Sequence, residues 1–182
     1  MGVFYEATPN PSSMKFICEQ QIADESMNFT SAAEAMRSPL AMKIFGFPWA
    51  SGVFIGPHFV TVTKQDWVDW EILAEPLSGL IDEHLKLGEP VLLPMTAAAE
   101  EEDSSNDSPV VQQIKQILRD EIRPAVAMDG GDIVFQSYEA GRVFLQMHGA
   151  CAGCPSSAMT LKDGIETRLK QAIPEVQEVV AV

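Results

Sequence analysis

Between Pro94 and Ser108 the chain reads Pro-Met-Thr-Ala-Ala-Ala-Glu-Glu-Glu-Asp-Ser-Ser-Asn-Asp-Ser. Such a stretch carries too little apolar surface to offset the entropy of ordering it, and its run of acids repels itself. It therefore predicts an acidic, flexible, extended linker over 94–108, the alternative being a solvated surface loop within one domain. Two small domains are expected, residues 1–93 and 109–182, each of a size that can fold around its own apolar centre. Hydrophobic residues make up 46% of the 182 positions, enough for two such cores.

The first segment predicts an α+β domain. Lys15-Phe16-Ile17-Cys18 follows the turn-rich Thr8–Ser13 and reads as a strand. Ser31 is a helix cap for Ala32–Arg37, with Glu34 as its capping-box partner. Ser38-Pro39 opens a second helix, to about Phe45. The apolar run 52–56 and the alternating run 58–63 flank Gly56-Pro57 as a hairpin. From Trp70 to Leu87, residues Ile72, Leu73, Leu77, Leu80, Ile81, His84 and Leu85 recur at helical spacing, with Pro76 expected to delay or kink the helix.

The second segment predicts the order α-β-β-α-β. Val110, Val111, Ile114, Ile117 and Leu118 form one helical stripe that should end near Arg123-Pro124. Met128–Asp132 is a turn, in which Asp129 and Asp132 read as turn caps. Strands over 133–138 and 142–148 pair antiparallel, with Val143, Leu145 and Met147 on one face. A helix opens at Pro155 with Ala158, Leu161, Ile165, Leu169 and Ala172 inward and stops at Pro174. Residues 176–182 form the last strand.

Between that strand pair and that helix stands Cys151-Ala152-Gly153-Cys154. Two thiols at this spacing grip one face of a metal or an iron–sulfur cluster, but they do not complete a four-thiolate shell. Gly149 and Gly153 let the backbone turn tightly around a bound centre. The helix start beyond Cys154 favours thiolate over thiol, and Ser156 and Ser157 offer hydroxyls there. Residues and spacing leave four readings open: a shared cluster site, a dithiol redox pair, a zinc site between two subunits, or packing alone. Cys18 reads as a core cysteine and His84 as a packed helix residue. His58 falls in the hairpin. His148 points away from the Val143/Leu145/Met147 face as a candidate supporting group, and Trp49, Trp67 and Trp70 read as core or rim.

Charge narrows the function classes. The net charge is −14, distributed as −7 over residues 1–95, −5 over 96–108 and −2 over 109–182. That surface opposes nucleic-acid binding and docking on anionic lipid. No apolar stretch approaches the ~20 residues of a spanning helix. The first residues lack signal-peptide and presequence character, and the three cysteines form no disulfide framework, so a reducing cytoplasm is expected. No nucleotide-binding, metalloprotease or nucleophile-elbow motif is present.

Larger motifs add a resemblance. Glu121–Pro124, Asp129-Gly130-Gly131-Asp132, Gly149–Ser157 and Leu161–Glu166 closely resemble the NifU-like C-terminal domain of Nfu iron–sulfur cluster proteins. Thr8–Phe16, Arg37–Ala41, Val53–Pro57 and Phe59–Lys64 resemble the Nfu N-terminal domain. The resemblance implies a non-enzymatic scaffold or carrier for a [4Fe–4S] cluster. It implies Cys151 and Cys154 as ligands, with the matching pair of a second subunit completing the shell in a homodimer. It implies apo iron–sulfur proteins and upstream assembly proteins as partners, and target recognition by the N-terminal segment. A bacterial cytoplasmic protein fits best, alongside a mature mitochondrial form.

Overall fold

The alternation of β-branched and aromatic residues in the first segment closes into a five-stranded antiparallel sheet. The computed structural model describes residues 2–94, 107–152 and 155–182, so most of the expected 94–108 linker, together with Gly153 and Cys154, lies outside the described residues. The chain divides into two compact units, Met1–Pro94 and Met95–Val182. Both mix helix and sheet, an α+β architecture.

In the first unit the strands are β1 (Val3–Ala7), β2 (Ser13–Cys18), β3 (Met27–Phe29), β4 (Ala50–Ile55) and β5 (Phe59–Lys64), in the sheet order β1-β2-β5-β4-β3. Helices α1 (Pro39–Phe45) and α2 (Trp70–Lys86) accompany the sheet. Phe16, Val60 and Ile55 align across β2, β5 and β4 and are fully buried. Ser38 caps α1: its hydroxyl accepts from Ala41 N at 3.0 Å and donates to Val91 O at 2.7 Å.

The Ala32–Arg37 helix shrinks to a 3₁₀ turn over Glu34–Arg37, and it stops at Arg37 because Ser38, standing before Pro39, is extended. Ser31 Oγ accepts from Glu34 N, at 3.4 Å, and the Glu34 carboxylate reaches back to accept from Thr30 N and Oγ1 and, more weakly, from the Ser31 backbone, as the capping box expects. Helix α2 continues through Pro76. Pro76 and Ile72 lie on the solvent side, where water can serve the carbonyl that Pro76 leaves unbonded. Leu73, Ala74, Leu77, Ile81 and His84 form the buried face, whereas Ile72 is exposed.

The second unit holds α3 (Pro109–Ile117), α4 (Arg123–Met128), β6 (Gly131–Glu139), β7 (Arg142–Gly149), α5 (Pro155–Ala172) and β8 (Glu178–Ala181). Its sheet order is β6-β7-β8, antiparallel then parallel, with α5 as the crossover. The first helix does not end at Arg123-Pro124. It widens into a π turn over Leu118–Ile122, where Arg123 N–H donates to Leu118 O, and resumes as α4. The wider turn absorbs the crowding of the Pro124 ring against the preceding turn. Ile114, Leu118, Val126, Ile133, Val143, Leu145, Ile165, Leu169 and Val179 build the core. After Leu169 the inward stripe of α5 passes to Ile173, just beyond the helix, and Ala172 is exposed.

Candidate functional site

Strand β7 ends at Gly149, whose φ of 65° reverses the chain away from the sheet. Ala150 follows, buried, its N–H donating to Gly130 O at 3.1 Å. Ala152 N–H donates back to Gly149 O at 3.1 Å and closes a turn around Cys151. That cysteine is 6% exposed and packs into the same core as Ile133, Met147 and Ile165.

The Asp129–Asp132 motif forms the other wall. Gly130, with φ 79°, carries the chain out of α4, and Gly131 pairs with Gly149 across β6 and β7. A Cβ on Gly131 would stand 2.5 Å from Cys151 Sγ and 2.8 Å from His148 O. Glycine is thus required by close approach of both the thiol and the His148 carbonyl. Asp132 is more than a turn cap. It is buried and accepts from Arg123 Nε at 2.8 Å and Nη2 at 2.6 Å, a two-pronged pair that ties the start of α4 to the start of β6. Its Oδ1 also accepts from Ile133 N at 2.8 Å.

His148 lies opposite Asp132 in the β6–β7 register, on the face away from Val143, Leu145 and Met147. Burial holds its imidazole below the usual range; the Asp132 charge opposes this and Arg123 reinforces it. Of the two expected ligands, Cys151 is described at this loop and Cys154 lies outside the described residues, as do the side chains of Ser156, Ser157 and Ala158. A soft sulfur at a loop between strand and helix suits iron or zinc. The Gly131–Cys151 contact and the Arg123–Asp132 pair escaped sequence reasoning, although both sit in motifs that stood out. A glycine doublet before a strand was the available signal.

The remaining residues fall elsewhere. Cys18 is buried in the first unit's core, and burial, aided by the Asp82 charge, pushes its thiol up to about 11. His84 is buried on α2, with Nε2 at 3.2 Å from Pro90 O and Nδ1 at 3.1 Å from Glu89. Trp49 is buried and stacks on Phe47, Trp70 bonds to Pro11 O, and Trp67 is exposed.

Two family models match: "Scaffold protein Nfu/NifU N terminal" over residues 3–88, and "NifU-like domain" over residues 114–180. Human "NFU1 iron-sulfur cluster scaffold homolog, mitochondrial" is 41% identical over 98% of this chain and 71% of its own length. The chain belongs to the Nfu family. A second Nfu relative, "NifU-like protein 4, mitochondrial" of Arabidopsis thaliana, is 42% identical over 98% of this chain and 65% of its own. The chain thus spans slightly under two thirds of several relatives it matches. The solution structure of a NifU-like protein from Saccharomyces cerevisiae aligns with TM-score 0.44 and 26% identity, covering 50% of this chain and 82% of that one. No described helix is long and apolar enough to cross a membrane.

Proposed function

We propose that this Nfu protein is a non-enzymatic iron–sulfur cluster scaffold and carrier. Cys151 and Cys154 of two copies hold one [4Fe–4S] cluster between them and pass it to apo-proteins. The observation that carries this reading is the match, over nearly the whole chain, to relatives named as iron–sulfur cluster scaffolds. The cluster is cargo. Transfer is ligand exchange: a thiolate of the acceptor bonds to an iron as the Cys151 or Cys154 thiolate leaves it, with no net oxidation. A site with two ligands per chain releases its cargo more readily than one chain holding four. Upstream assembly proteins load the cluster, and residues 1–93 recognise targets as a separate domain. A reducing compartment, the bacterial cytoplasm or a mitochondrial interior, keeps the thiols competent.

Anaerobic reconstitution tests the reading. Brown protein holding about one [4Fe–4S] cluster per dimer is expected. Cys151→Ser and Cys154→Ser should each lose nearly all bound iron. Retention of a full cluster by either variant overturns the ligand assignment. A colourless protein with a titratable two-electron couple points instead to a dithiol oxidoreductase.

A further inference from the structure

The geometry points to Gly131 as a positioning residue: its missing side chain is the seat that sets how deeply the Cys151 sulfur lies against β6. Three observations meet there. The 2.5 Å approach of a Gly131 Cβ to Cys151 Sγ is a distance that no real pair of such atoms tolerates. The same Cβ would stand 3.2 Å from Cys151 Cβ and 2.8 Å from His148 O, so the thiol cannot yield simply by rotating its side chain. The walls of the seat are held independently, on one side by Ala150 N–H to Gly130 O and on the other by the Arg123–Asp132 pair.

Gly131 has no special backbone requirement of its own, because positive φ is found at its neighbours Gly130 and Gly149 instead. What demands glycine at 131 is therefore the close approach of Cys151, together with the His148 carbonyl of β7, and not local conformation. A methyl group there drives the Cys151 loop outward and exposes a thiol that is otherwise 6% exposed. This inference rests on Cys151 being a cluster ligand for its functional meaning, but the seat is measurable without a cluster.

The test uses the full-length, cluster-free chain. Alkylation of Cys151, followed by site-resolved mass spectrometry, should run roughly tenfold faster in Gly131→Ala than in the natural chain. An unchanged rate in a folded variant overturns the proposal. Thermal melting of the second unit keeps the proposal testable if the variant folds poorly. Gly131→Ala should lower Tm by roughly 10 °C in the natural background and by clearly less in a Cys151→Ala background. Equal losses in both backgrounds show that the sulfur is not what glycine accommodates, and overturn it. Reconstitution run in parallel separates the two readings. If neither the natural chain nor Gly131→Ala takes up a cluster, the scaffold function falls while the alkylation ratio still decides the seat.

Discussion

At the scale of single residues, two buried groups behave oppositely. Asp132 is paired and hydrogen-bonded, so its charge is accommodated, and removing it strands part of Arg123 and leaves Ile133 N–H without that acceptor. Asp132→Ala is expected to destabilise the second unit by about 2 kcal/mol, less than a fully buried pair costs because the Arg123 side chain is 45% exposed. Urea denaturation followed by a probe in that unit checks this. Cys18 has no such compensation, and burial raises its thiol to about 11. A raised folded-state pKa means the folded chain keeps a proton that the unfolded chain loses sooner. The associated stability is complete below the unfolded thiol's value and is lost as pH rises toward 11. Stability of the first unit should therefore fall between about pH 9 and pH 11. Cys18→Ala should lower the baseline but flatten that slope in denaturation curves taken across the range.

At the scale of elements, the β6–β7 hairpin shows how a local conflict is tolerated. Glu139 pairs with Arg142, leaving Ala140 and Gly141 as a two-residue loop, and both have positive φ, 49° and 84°. That is the loop geometry asparagine–glycine prefers, and alanine occupies its first position under strain. Ala140→Asn should stabilise the second unit by about 0.5–1 kcal/mol, whereas Gly141→Ala should destabilise it, since a Cβ there also meets Gln177 at 2.9 Å. Chemical denaturation of both variants checks the pair of signs. This hairpin was legible from sequence because its strands alternate and its turn contains glycine. Strand β1 was not: four of its five residues are exposed, and it is a strand only because Val3 to Ala7 pair with Cys18 to Met14. Three-residue β3 is too short to show a period. The π turn before Pro124 was invisible for another reason: proline marks a conflict with the helix, but packing decides whether the helix stops or widens to pass it. The seat at Gly131 depends on a contact across twenty residues of sequence that no periodicity encodes.

At the scale of the whole molecule, the proposed shared cluster must be reconciled with charge. Each chain carries −14, and a cluster bound by four thiolates adds negative charge at the junction. Two such copies repel over a distance set by salt: about 30 Å at 0.01 M ionic strength and about 8 Å at 0.15 M. Of the 1–95, 96–108 and 109–182 segments, the last, which contains the cysteines, carries only −2, so the repulsion comes chiefly from the other parts of the chains. Repulsion of that kind is long-ranged and is screened, unlike the iron–sulfur bonds, which are short-ranged and are not. The cluster-bound dimer should therefore tighten several-fold as salt rises from 0.01 to 0.15 M, and retained cluster should rise with it. Sedimentation velocity of the reconstituted protein at the two ionic strengths measures this directly. A dimer that weakens with salt would require attractive ion pairs across the junction, and would mean that specific contacts between copies, rather than the iron–sulfur bonds, dominate the pairing.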